Sequence, residues 1–112
     1  MDMLSATRML GALAQDTRLS VFRLLVRAGR EGTPAGGIAR ALGVPHNTLS
    51  SHLQVLAAAG LVVSRREGRS IRYRVDFEGA RALLTFLMED CCQGRADVCA
   101  PAVDTVLAGC CE

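Results

Sequence analysis

Leu42-Gly43-Val44-Pro45-His46-Asn47-Thr48-Leu49-Ser50-Ser51-His52-Leu53-Gln54-Val55-Leu56-Ala57-Ala58-Ala59-Gly60-Leu61 is the stretch whose reading decides the fold. Gly43 stops one helix and Pro45 opens the next, so two helices are joined by a tight turn. Leu49, Leu53 and Leu56 recur at helical spacing and form one inward stripe. His46, Asn47, Thr48, Ser50, Ser51 and Gln54 are left on the outer side. Short polar side chains at the start of an exposed helix offer donors and acceptors without bulk, which is what a helix entering the major groove of DNA requires. Any solvated helix face carries similar groups, so the flanking segments have to decide.

Upstream, Thr33-Pro34 reads as a helix cap followed by proline at the first helical position. The short helix it opens has Ile38 and Leu42 inward and ends at Gly43. Before it, Asp16 is placed to cap a helix carrying Leu19, Phe22, Leu25 and Val26, which ends near Gly29. Met3, Leu4, Met9, Leu10 and Leu13 mark an amphipathic first helix over residues 4–14. Downstream, Leu61-Val62-Val63-Ser64 reads as a strand that turns at Glu67-Gly68-Arg69 into Ile71-Arg72-Tyr73-Arg74-Val75. Alternation places Ile71, Tyr73 and Val75 inward with Arg72 and Arg74 outward. Residues 65–74 hold Arg65, Arg66, Arg69, Arg72 and Arg74 against Glu67 alone, a balance suited to phosphate. Arg66, Arg69, Arg72 and Arg74 are therefore the candidate DNA-backbone contacts. Asp76 then caps a long last helix to about Cys92, with apolar residues almost all round it, which calls for burial on more than one side. Gln93-Gly94 stops it, and a short helical piece follows at residues 101–108.

The pattern is that of a mainly α fold with a β-hairpin wing, a winged helix-turn-helix in one small domain. At 112 residues, half of them apolar, the chain supports a modest core that gains from burying surface in a second copy, so a homodimer is expected. Residues 1–94 form the DNA-binding and dimerisation domain, and residues 95–112 a cysteine-containing tail. No apolar run approaches the roughly 20 residues needed to cross a bilayer, and the N-terminus lacks the order of a secretory signal, so no membrane partner and a cytoplasmic location are expected. All five cysteines, Cys91, Cys92, Cys99, Cys110 and Cys111, fall near the C-terminus. In a reducing compartment, an odd number of cysteines, four of them in adjacent pairs, reads as ligands or redox groups before structural disulfides.

Ala14-Gln15-Asp16-Thr17-Arg18-Leu19, Leu42-Gly43-Val44, the run from Leu49 to Val62 and the wing from Arg65 to Arg74 together resemble the ArsR/SmtB family of winged-helix metalloregulatory repressors over residues 5–92. The resemblance implies a homodimer that blocks transcription until a metal or metalloid releases it. Pro45 departs from the family, which commonly places Ser or Thr there. Two of the family's sensing sites have no counterpart here: residues 33–42 contain no cysteine, and no histidine follows His52. A third arrangement, adjacent cysteines at the end of the last helix joined by another a few residues on, matches Cys91, Cys92 and Cys99. Cys110 and Cys111 are additional candidates.

Three thiols without imidazole favour a soft ion, and a three-sulfur site suits As(III) or Sb(III). Zinc would call for a fourth donor. The helix C-terminus with Glu89 and Asp90 disfavours thiolate, which argues against a peroxide sensor. Arsenous acid needs no preformed thiolate, since it condenses with three thiols and releases water. The expected function is thus an arsenite-responsive repressor of double-stranded operator DNA, with no organic cofactor. A repressor of the same fold that senses Cd(II), Hg(II) or thiol oxidation is the alternative. A thiol-based arsenate reductase is disfavoured, because no Cys-x5-Arg loop follows any cysteine.

Overall fold

A computed structural model describes residues 1–89. Among the described residues five α-helices, α1 (Met3–Leu13), α2 (Asp16–Ala28), α3 (Ala35–Leu42), α4 (His46–Ala58) and α5 (Phe77–Met88), accompany a three-stranded antiparallel sheet of β1 (Thr33–Pro34), β2 (Val62–Glu67) and β3 (Ser70–Val75) in the order β1-β3-β2. The core forms where the helices meet the sheet. Val21 and Leu25 from α2, Ile38 from α3, Leu49, Leu53 and Leu56 from α4, and Leu61, Val62 and Val75 are all at most 2% exposed. No side chain buried among the described residues is polar or charged, so packing and backbone ladders hold this centre together. Among the described residues no helix is long and apolar enough to cross a membrane.

The helix-turn-helix and the wing lie where the pattern puts them. Gly43, at φ 65°, adopts the left-handed conformation and its N–H donates to the Ala39 carbonyl, which ends α3 and frees the chain to start α4 three residues later. Glu67 pairs with Ser70, leaving Gly68-Arg69 as a two-residue turn. Asp76 caps α5 as expected, its carboxylate accepting from the Gly79 N–H at 3.1 Å.

Three expectations need correction. Asp16 does not cap α2: the Gln15 side chain does so, accepting from the Arg18 N–H at 2.8 Å, and Asp16 sits in the first turn, where its charge suits the helix dipole. Thr33 is not a cap either. Thr33 and Pro34 pair with Tyr73 and Arg72 of β3, adding a third strand to the expected hairpin and moving the cap of α3 to Pro34. Pro34 is tolerated because it lies on an edge strand, where a missing N–H costs no ladder bond. Gly32 permits the approach, since a Cβ there would overlap the Tyr73 carbonyl oxygen. Finally, Ile71 is not core: it is 40% exposed, because its cross-strand partner is Arg66 near the wing tip, beyond the reach of the helices. The end of the last helix beyond Glu89, the expected helical piece at 101–108 and the boundary at residue 94 lie outside the described residues.

Candidate nucleic-acid interface

The recognition helix is held from behind and open in front. Leu49, Leu53 and Leu56 anchor α4 in the core, while His46, Asn47, Thr48, Ser50, Ser51 and Gln54 are all exposed, so the six residues expected to face a groove do share the solvent side. Pro45 provides no side-chain cap, and the Asn47 amide oxygen accepts from the Thr48 N–H at 3.0 Å. The first turn of α4 therefore keeps most of its backbone donors open towards solvent.

A buttress that the sequence reading missed stands at the other edge of α4. The Arg18 guanidinium donates through Nε to the Ala12 carbonyl at 2.6 Å, and its Nη1 lies 3.4 Å from His52 Nδ1. Arginine carries no acceptor, so the guanidinium is the donor in this contact. One side chain of α2 thereby ties the end of α1 to the middle of the recognition helix. Arg18 was visible only as part of a family-like run, because nothing in its local spacing announces a partner 34 residues away.

The wing's arginines do not form one surface. The register pairs Val62 with Val75, Ser64 with Tyr73 and Arg66 with Ile71, and residues directly opposite one another share a face of the sheet. Val62 and Val75 are buried against the helices, so Arg66 extends from the helix-facing side of the sheet near its tip, with Arg69 in the turn. Val63 with Arg74 and Arg65 with Arg72 belong to the opposite, outer face. On that face Glu67 accepts from Arg65 Nη2 and from Arg72 Nε, both at 2.8 Å. Hydrogen bonds from Arg65, then Arg72, hold the Glu67 carboxyl below its ordinary range. Arg72 also reaches the Glu31 and Gly32 carbonyls at 3.3 and 3.4 Å, tying the wing to the turn after α2. Arg66, Arg69 and Arg74 are exposed, whereas Arg72 is engaged within the protein.

α1 packs against α5, and both leave large apolar side chains in solvent: Met3 is 70% exposed, Leu4 61%, Leu10 44%, Leu84 39% and Leu87 50%. For a chain this small, so much apolar surface along two neighbouring helices marks a contact face. The candidate ligands Cys91, Cys92, Cys99, Cys110 and Cys111 lie outside the described residues, and among the described residues no three His, Cys, Asp or Glu side chains converge in a metal-binding group.

Comparison with known proteins agrees with this architecture. A helix-turn-helix domain model matches residues 13–65. The HTH-type transcriptional regulator YgaV of Escherichia coli is 30% identical over 87 residues, covering 78% of this chain and 86% of YgaV. The HTH-type transcriptional regulator Rv0324 of Mycobacterium tuberculosis is 35% identical over 95 residues, 85% of this chain, and the chain spans only 41% of that relative's length. Among solved structures, the homodimeric winged helix-turn-helix DNA-binding domain of Mb0332 from Mycobacterium bovis, described as a possible ArsR-family transcriptional regulator, is 34% identical. It covers 77% of this chain and 80% of its own, with a TM-score of 0.62.

Proposed function

Because the chain belongs to the ArsR family of winged helix-turn-helix transcriptional regulators, and so binds DNA and is not an enzyme, we propose that it is a homodimeric repressor released from its operator when As(III) is captured by Cys91, Cys92 and Cys99. The observation that carries the DNA-reading half is the polar first turns of α4, exposed in front of three fully buried leucines. In this reading His46, Asn47, Thr48, Ser50, Ser51 and Gln54 meet base edges and nearby phosphates, and Arg66 and Arg69 hold the backbone from the wing tip.

The apolar faces of α1 and α5 supply the dimer contact, as the homodimeric state of the Mb0332 domain supports. Two recognition helices would then read half-sites roughly one helical turn, about 10 bp, apart. Cys91 follows the last residue of α5 by three positions, so a metalloid drawing Cys91, Cys92 and Cys99 together would act on the end of a dimerisation helix. A change in that contact alters the spacing of the two readers. Coupling of about 1–3 kcal/mol, typical between linked sites, lowers operator affinity about 5–150-fold.

The test is operator anisotropy with reduced protein, titrated with arsenite, antimonite, Cd(II), Hg(II), Zn(II) and peroxide, for wild type and for Cys91→Ser, Cys92→Ser and Cys99→Ser. Arsenite should release wild type and none of the three variants, with Cys110→Ser and Cys111→Ser behaving as wild type. Release by Cd(II) or Hg(II) alone would reassign the inducer, release by peroxide alone would make the thiols a redox switch, and arsenite release surviving all three substitutions would refute the site.

A further inference from the structure

The outer face of the wing carries a second basic surface that the recognition helix does not use. A cleft of about 570 Å³ opens there, lined by Arg30, Arg65, Arg72 and Arg74 together with Glu31 and Glu67. Its guanidinia come from two parts of the chain, Arg30 from the 3-10 turn Gly29–Glu31 that follows α2 and the other three from β2 and β3. Four guanidinia face two carboxylates. Glu67 accepts from both Arg65 and Arg72 and cancels one of their two charges, and Arg72 is fixed further by the Glu31 and Gly32 carbonyls. Among the described residues, neither Arg30 nor Arg74 has an acidic partner, and both are exposed at the rim. The clamp on Glu67 thus holds the floor in place, and the cleft keeps a net formal charge of +2, from four guanidinia against the Glu31 and Glu67 carboxylates.

We infer that this cleft binds a phosphoryl group, at a place separate from the operator-reading surface. Two guanidinia arriving from different elements need acceptor oxygens in more than one direction. A tetrahedral phosphoryl group presents them so, whereas a planar carboxylate satisfies a single fork. The register gives the separation: Arg74 and Arg65 stand on the face opposite Arg66 and the buried Val62 and Val75, against which the helices pack. The phosphate reaches the cleft from one of two sources, the backbone of DNA flanking the half-site or a free phosphorylated solute. A flanking source adds contacts outside the sequence that α4 reads and extends the protected DNA. A free solute adds an anionic input independent of the cysteines.

The experiment compares the reduced full chain with the double variant Arg30→Gln/Arg74→Gln and with Arg23→Gln/Arg27→Gln, which removes the same charge from exposed positions of α2 outside the cleft. Each is titrated with inorganic pyrophosphate by calorimetry, and its operator affinity is measured against salt on a duplex ending at the half-sites and on one with a further helical turn at each end. Saturable pyrophosphate binding, lost only in the cleft variant, establishes the site with a free ligand. If pyrophosphate does not bind, the salt slope on the longer duplex should fall by about 0.9 per lost phosphate contact in the cleft variant only, with the shorter duplex unaffected. Equal changes in both double variants would reduce the effect to net charge, and no change in either assay would leave no phosphate site; both results overturn the inference.

Discussion

Replacing Gly79 by alanine should destabilise the protein, although helix propensity alone forecasts the reverse. Gly79 lies in the first turn of α5, where alanine is worth up to about 1 kcal/mol over glycine. An added Cβ would, however, overlap the Gly60 carbonyl oxygen and meet Met9 Cε at 3.4 Å. The methionine can move aside, whereas the carbonyl belongs to the turn in which Leu61 donates to Leu56 and Asp76 to Leu61, tying the exit of the recognition helix to the start of α5. Forcing volume into a core costs about 1–3 kcal/mol, and because a backbone atom is in the way the upper part of that range, about 2–3 kcal/mol, applies; after the propensity gain the net loss is about 1–2 kcal/mol, or roughly 5–10 °C in Tm for a domain of this size. The comparison is Gly36→Ala in α3, where the nearest atom to the new Cβ is the flexible Arg40 Nη1 at 3.5 Å and a small gain is expected. Urea unfolding at one protein concentration measures both. A Gly79→Ala protein as stable as wild type or more so would mean that α5 does not dock against the α4 exit.

Three further outcomes are expected. Arg18→Leu removes a charged donor from the Ala12 carbonyl and His52 and should cost about 1.5–3 kcal/mol in unfolding, with Arg18→Lys restoring little because an ammonium lacks the two-armed reach; full rescue by lysine would count against the buttress. Leu53→Ala, at a position 1% exposed beneath the recognition helix, should cost about 2–5 kcal/mol and lower operator affinity at temperatures near the new Tm, and a loss under 1 kcal/mol by denaturant titration would contradict the packing. The Glu67 carboxyl, held low by Arg65 and Arg72, contributes stability that is complete above the ordinary glutamate value of 4.5 and is lost as pH falls through its depressed one. A carbon NMR titration of Glu67 with a midpoint at or above that ordinary value would remove the clamp.

What could be read directly from the chain was whatever depends on neighbours within a few residues. The leucine spacing in α4, the Gly43 stop, the Gly68-Arg69 turn and the Asp76 cap are local choices of dihedral angle and hydrogen bond, and each lies where its spacing indicates. The exposed polar set from His46 to Gln54 follows from the same helical period. Register and distant partners were decided only in three dimensions. Whether Thr33 caps a helix or pairs with Tyr73 depends on β3, forty residues away, since a threonine before proline satisfies either geometry. Alternation correctly assigned Arg72 and Arg74 to one face but did not reveal that Arg66 belongs to the other, because that needs the pairing of β2 with β3. The charge of residues 65–74 was countable in the sequence. Its division into an exposed wing tip and an outer cleft clamped on Glu67 arises because a sheet has two sides and only one of them can rest on the helices.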